Sequence, residues 1–151
     1  MKGRPSKYSN KELLISIQDI FWKKGYSATS LNDVRNITGT GAGSFYNTFK
    51  GGKKEVFQKA ILQRNEAFTS FKKLLENSDD PIKLIKYFFK SIALEDYSSH
   101  MKGCIIVNSV QELTFIDDGL FSSAKNILLE VEEMYRNAII KSRANGKILN
   151  T

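Results

Sequence analysis

The chain has one cysteine, one histidine and two prolines among 151 residues, and each scarcity removes a class of explanation. A single thiol, Cys104, cannot form an internal disulfide and suits a reducing cytoplasm. A single imidazole, His100, has no second histidine to make a metal pair, so no metal site is expected. Prolines only at Pro5 and Pro81 leave the long periodic stretches free to be helical. No apolar run approaches the ~18 residues needed to span a bilayer, and the basic start of the chain lacks a signal-peptide core, so the expected location is the cytoplasm. No glycine-rich phosphate loop follows a strand. Hydrolase, kinase and dehydrogenase chemistry therefore lack their parts. The chain does not read as an enzyme; catalytic residues, cofactor and metal are all expected to be none.

What is present is ordinary in amount and uneven in placement. A hydrophobic fraction of 41% and a charged fraction of 26% suit a folded soluble chain. Residues 1–60 hold 11 Lys and Arg against 4 Asp and Glu, a net of +7, whereas residues 61–151 hold 12 against 12, a net of zero. The whole surplus therefore sits in the first part, as expected if that part meets phosphates and the remainder does not.

Met1 to Ser9 is a polar arm carrying Lys2, Arg4 and Lys7, able to reach phosphates or a minor groove. A first helix is expected from Asn10 to about Lys24, with Leu13, Leu14, Ile17, Ile20 and Phe21 as its apolar stripe. Trp22 belongs at the rim of that packing. From Ser30 to Phe49 come two short helices broken by a glycine turn. Ser30 caps the first, with Asp33 three residues on and Leu31, Val34 and Ile37 on one face. Gly39 supplies the positive φ that ends it. In the second, Phe45 and Phe49 face inward, while Gly43, Ser44, Tyr46, Asn47 and Thr48 stay outward. Two helices joined this way, the second with a contact-ready face, make a helix-turn-helix pattern.

Gly25-Tyr26, Ala28-Thr29-Ser30, Asp33-Val34, Gly39, Gly43-Ser44-Phe45-Tyr46, Phe49 and a lysine soon after make about a dozen spaced matches. On them the first third of the chain resembles the DNA-binding domain of the TetR/AcrR family of bacterial transcriptional repressors. Gly3 to Pro5 resembles that family's N-terminal arm. The turn Thr40-Gly41-Ala42, the pair Asn47-Thr48 and the run Lys50 to Lys54 depart from the family pattern.

A long helix is expected from Lys53 to about Glu76, with Phe57, Ile61, Arg64, Phe68, Phe71 and Leu75 in a stripe. Another follows from Pro81 to about Asp96, and a last one from Leu120 to about Ala144, ended by Asn145-Gly146. Between them, Cys104-Ile105-Ile106-Val107 has strand propensity but no second strand to pair with; the resemblance favours a helix there. Glu130, Glu132 and Glu133 read as a solvated helix face. The resemblance implies an inducer pocket in this second part. Phe68, Phe89, Asn108, Gln111, Glu112 and Tyr135 are its candidate lining. Cys104 has two readings: a small buried hydrophobe, or a thiolate stabilised at a helix start behind Lys102 that senses oxidants or electrophiles.

The expected protein is all-α. A three-helix helix-turn-helix DNA-binding head occupies residues 1–52, and a helical ligand-binding and dimerisation body occupies residues 53–151. The expected function is a sequence-specific DNA-binding transcriptional regulator, a repressor released from its operator by a small-molecule inducer. DNA contacts are expected from Arg4, Lys7, Thr29, Ser30, Ala42, Gly43, Ser44, Tyr46, Asn47 and Lys53. Its partners would be double-stranded operator DNA, an inducer and a second copy in a homodimer, with no membrane. The alternatives are a redox- or electrophile-sensing repressor acting through Cys104, and a helical ligand-binding or interaction protein without operator specificity. The family resemblance implies two further helices that build the dimer interface, so a chain ending at Thr151 reads as an incomplete body.

Overall fold

Seven helices and no strand are found in the computed structural model, which describes residues 10–39, 41–94 and 102–148. The architecture is all-α. In order they are α1 (Asn10–Lys24), α2 (Leu31–Thr38), α3 (Ala42–Thr48), α4 (Gly52–Asn77), α5 (Pro81–Leu94), α6 (Ile105–Leu113) and α7 (Asp118–Ala144). The arm with Arg4 and Lys7, and the segment holding Tyr97 and His100, lie outside the described residues. Among the described residues no helix is long and apolar enough to cross a membrane.

Helix α1 buries Leu13, Ile17 and Phe21 at helical spacing. Helix α2 starts on a capping box: Ser30 Oγ accepts from the Asp33 amide at 3.0 Å, and Asp33 Oδ2 accepts from the Ser30 amide at 2.8 Å. It ends at Gly39, whose φ of 62° is the left-handed geometry that glycine adopts without a steric penalty. Helix α3 has seven residues and a glycine cap without a side chain. Such a helix cannot hold itself together in water; Phe45 and Phe49, both buried, tie it down.

Those two rings join one continuous core rather than a separate small one. Phe45, Phe49 and Val34 pack with Val56, Phe57, Ala60 and Ile61 of α4, with Ile105, Ile106 and Leu113 of α6, and with Leu120 and Ala124 of α7. At its centre the Phe57 ring stands edge-on to Phe21 and Tyr26, each at 5.0 Å between centroids. Truncating one fully buried Phe of this kind costs about 3–5 kcal/mol. Helix α4, 26 residues and so about 39 Å long, leaves this core and reaches a second, smaller cluster. There Leu75, Ile85, Met134 and Ala138 bring α4, α5 and α7 together. The two ends of α5 and α7 are pinned by the Ile82 amide, which donates to Ser142 Oγ at 3.1 Å.

The stretch after Cys104 is helical despite its β-branched residues. With no strand beside it, its backbone groups are met within the segment: the Asn108 amide donates to the Cys104 carbonyl at 2.9 Å, and Ser109 Oγ to the Ile105 carbonyl at 2.7 Å. Ile105, Ile106 and Leu113 then fall on one buried face.

Candidate nucleic-acid interface

Helix α3 has two unlike sides. Phe45 and Phe49 are buried, whereas Ala42, Gly43, Tyr46, Asn47 and Thr48 are exposed. Tyr46 is held at an angle by its edge-on contact with Phe45, 5.7 Å between centroids, and half of its surface faces solvent. Lys50 follows on the exposed turn into α4. Small residues at the helix start let a backbone come close to a partner, and the Asn47 amide carries both a donor and an acceptor. Ser44 lies in α3 between these positions, with its side chain outside the described set.

Other expected contact residues turn out to be engaged within the protein. Thr29 is fully buried and its Oγ1 donates to the Gly25 carbonyl at 2.6 Å, so its side chain has no surface to offer a phosphate. Ser30 is exposed but its hydroxyl is used in the α2 cap, donating to Asp33 Oδ2 at 2.8 Å. The Ser30 amide and hydroxyl, then Lys24, hold the Asp33 carboxyl down at about 2. Lys53 stands over the Tyr26 ring at 4.3 Å and donates to the Ser27 carbonyl at 3.3 Å; burial pulls its pKa below the usual lysine value. Its neighbour Lys54 turns the other way and grips both oxygens of Asp117, at 2.9 and 2.8 Å. Asp117 also caps α7 through the Leu120 amide at 2.9 Å, and the Lys54 bond, then that amide, hold its carboxyl below the ordinary range.

Three polar ties are among those that hold the helices together, and the first, Lys54–Asp117, joins the start of α4 to the start of α7. In the second, Glu112 of α6 accepts from the amides of Tyr26 and Ser27 at 2.8 and 2.7 Å. Gly25, at φ +79°, leaves the room: a Cβ there would stand 2.7 Å from the Glu112 carboxylate. In the third, Trp22 Nε1 donates to the carbonyls of Lys102 and Gly103, both at 3.0 Å, and Lys102 Nζ reaches Asp19 at 2.8 Å. Burial pushes Asp19 up, but the bonds from Lys102 and Lys23 together hold its pKa below the usual value. Helix α6 is thus fastened to α1 and the α1–α2 turn at both of its ends. Sequence reasoning missed these ties, because each joins residues far apart in the chain.

The expected pocket residues are not gathered into one cavity. Asn108, Gln111 and Glu112 line an open groove of about 500 Å³ between α1 and α6. Two of these three have structural duties there: Glu112 as described, and Asn108, whose Nδ2 donates to the Lys102 carbonyl at 2.8 Å. Phe68 lines a small cleft of about 110 Å³ between α4 and α7. Phe89 is largely exposed and stacks on Tyr135, 6.2 Å between centroids, at the far cluster. Cys104 is exposed at the N-cap of α6, not buried as a small hydrophobe would be. It is solvated because its side chain precedes the helix face that packs.

No protein-family model matches the chain, and no solved structure does. It is similar to the uncharacterized HTH-type transcriptional regulator YxaF of Bacillus subtilis, 24% identical over 152 residues that cover 95% of this chain and 80% of that one. It is similar to the HTH-type transcriptional repressor DhaR of a Mycobacterium species, 26% identical over 134 residues, covering 85% of this chain and 64% of that one. The HTH-type transcriptional repressor ComR of Escherichia coli is 24% identical over 151 residues, 97% of this chain and 71% of its own.

Proposed function

We propose that this chain is a sequence-specific DNA-binding regulator of transcription, a repressor of the TetR/AcrR kind that a small-molecule inducer releases from its operator. The observation that carries the reading is α3: two buried rings anchor a short helix whose other side, Ala42, Gly43, Tyr46 and Asn47, is open. The basic surplus of the first 60 residues and the names of the similar proteins support it. In this reading α3 enters a major groove. Asn47 reads a base, since its amide can bond adenine bidentately. Tyr46, Lys50 and the arm with Arg4 and Lys7 hold phosphates and fix register without reading sequence. Two copies place two heads in successive grooves about 34–36 Å apart on a palindromic site.

Release follows from the ties between head and body. A ligand bound better by one arrangement of α6 shifts the population toward it. Because Glu112 of α6 holds the α1–α2 turn, the residues just before α6 hold Trp22 of α1, and α7 holds α4 through Lys54, a displaced body carries the head with it. The domain division at residue 52, the inducer and the cytoplasmic location belong to the same reading. A second reading, control by oxidants or electrophiles through Cys104, rests on the exposure of that thiol at the α6 N-cap; iodoacetamide alkylation much slower than that of a free thiol at neutral pH removes it.

The test is a fluorescence-anisotropy titration with the DNA upstream of its own gene, against scrambled DNA, at two salt concentrations. Selective binding that weakens as salt rises is expected. Equal binding to both DNAs, or binding indifferent to salt, overturns the reading.

A further inference from the structure

The C-terminal turn of α7 locks the α4–α5 connection in place. Gly146, at φ +66°, closes the helix: its amide donates to the Arg143 carbonyl at 3.0 Å, and the Lys147 amide to the Ser142 carbonyl at 2.8 Å. This pairing satisfies carbonyls that a helix end otherwise leaves without partners. Side chains of the same turn then reach across. Asn145 Nδ2 donates to the Asp79 carbonyl at 3.0 Å, Lys141 Nζ donates to the Glu76 carbonyl, and Ser142 Oγ accepts from the Ile82 amide at 3.1 Å. These contacts join residues 60 to 66 positions apart, so they exist only while the far cluster is folded.

Asn145–Gly146 is also the one Asn-Gly pair in the chain. Asparagine before glycine is chemically unstable, because a residue without a Cβ lets its own nitrogen approach the preceding side chain. The Gly146 nitrogen attacks Asn145 Cγ and gives its proton to water. A five-membered imide closes, and the side-chain nitrogen leaves as ammonia. Water then adds to either ring carbonyl, giving aspartate or, where the main chain now runs through Cβ, isoaspartate. The folded turn opposes the first step. Asn145 is held at ψ 4°, which turns the Gly146 nitrogen away from Cγ, and both reacting groups are engaged in hydrogen bonds. Reaction therefore waits for the turn to open.

We propose that Asn145–Gly146 is a self-modification site gated by the fold: opening of the far cluster exposes it to reaction, and reaction keeps the cluster open. Water is the only co-reactant, and no enzyme is needed. The product prevents relocking for two reasons. Its carboxylate has no N–H to offer the Asp79 carbonyl. It also sets a negative charge at the C-terminal end of α7, where the helix dipole disfavours one, against a turn that already carries Asp79 and Asp80. Isoaspartate in addition lengthens the main chain and draws the Gly146 and Lys147 amides off their carbonyls. None of the locking residues belongs to the larger core. The far end is thus unclipped while α1, α2 and α3 stay packed.

Peptide mapping by mass spectrometry on the full chain, kept at mildly alkaline pH with and without urea, tests the site and its gate. In urea Asn145 is expected to convert before Asn77 and Asn108, the two asparagines that precede serine. Folded wild type should convert Asn145 at least about tenfold more slowly, since only the open fraction reacts. Ser142→Ala removes the acceptor of the Ile82 amide and leaves the reacting pair untouched; it should raise the folded rate about threefold or more. Lys141→Ala, which drops the Glu76 contact, makes the same measurement if Ser142→Ala does not fold. Asn145→Asp copies one product and should speed hydrogen exchange of the α5 amides about tenfold while α1 keeps its wild-type protection. Equal rates with and without urea overturn the gate, as does a lock variant no faster than wild type. An Asn145→Asp protein whose α5 exchanges as in wild type overturns the failure to relock. Conversion in urea no faster than at Asn77 or Asn108 overturns the site itself.

Discussion

The amides of Tyr26 and Ser27 lie in a turn, beyond the reach of any helical carbonyl, and both donate to Glu112. Leaving such donors without a partner costs about 1–3 kcal/mol when water cannot fully replace it. Glu112→Ala is accordingly expected to lower stability by about that amount in urea unfolding; a change under ~0.5 kcal/mol, the usual size for a surface substitution, would show that the contact holds nothing. Gly25→Ala should act through the same contact. It forces a methyl group into a left-handed position and drives the Glu112 carboxylate aside, so the two substitutions combined should destabilise less than their sum. Asp33 gives a pH signature. Its folded value of about 2 lies below the ordinary 3.8, so its contribution to the α2 cap is complete above pH ~4 and fades as pH falls through 4 toward 2. Carboxyl-carbon NMR titration should place Asp33 near 2, and a midpoint near 3.8 would deny the capping box its strength. The box itself was legible in the sequence, since its two members are three residues apart. Glu112 was not: a polar residue on an apolar helix suggests a ligand, and nothing local reveals that its partners are amides some 85 positions earlier.

Helix α3 divides its duties between residues two positions apart, Phe45 and Asn47. Phe45→Ala removes a fully buried ring and should cost about 3–5 kcal/mol, enough to release α3 and abolish DNA binding together with the fold of the head. Asn47→Ala touches no core, so unfolding should shift by less than ~0.5 kcal/mol, while preference for the correct site over a scrambled one falls by about 1–3 kcal/mol if the amide reads a base. Anisotropy and urea titrations on both variants separate these effects. If Asn47→Ala keeps full preference while Lys53→Ala loses it, the roles are reversed. Most elements were readable from their period and caps, and the starts of α2 and α5 especially so. The hard case was α6, where Ile105, Ile106 and Val107 favour a strand. Its helical state follows from what surrounds it, a core that takes one face of a helix and offers no strand to pair with. The lysines at the start of α4 show the same limit of a local reading. Two adjacent cations before a helix suggest phosphate, but Lys53 and Lys54 point to opposite sides, one to Tyr26 and Ser27 and the other to Asp117.

Across the whole molecule, packing is uneven. The larger core joins α1, α2, α3, α4, α6 and α7, whereas four small-to-medium side chains and a few half-buried rings close the far end around α5. Native-state hydrogen exchange should therefore find α5 and the last turns of α4 opening at lower free energy than α1 and the first half of α4. Equal protection everywhere would mean that both clusters open only with global unfolding. The same map bears on the domain division expected at residue 52. Sequence composition separates a basic part from a neutral one, and the charge contrast is real. Yet Phe21, Phe57, Ile105 and Leu120 share one core, so charge marks where the surfaces differ and not where the interior ends. Long-range packing of this kind leaves no local pattern to read.

The chain has one tryptophan, and its indole N–H is bound to the carbonyls of Lys102 and Gly103 at the seam between head and body. Arg64 and Lys102 flank the same ring at 5.2 and 5.3 Å. Any rearrangement that lifts α6 from α1 must break those bonds and draw Lys102 away from the chromophore. The protein therefore carries its own optical gauge, and emission from Trp22 can follow a small molecule's effect on the seam without a label, an operator or a second protein.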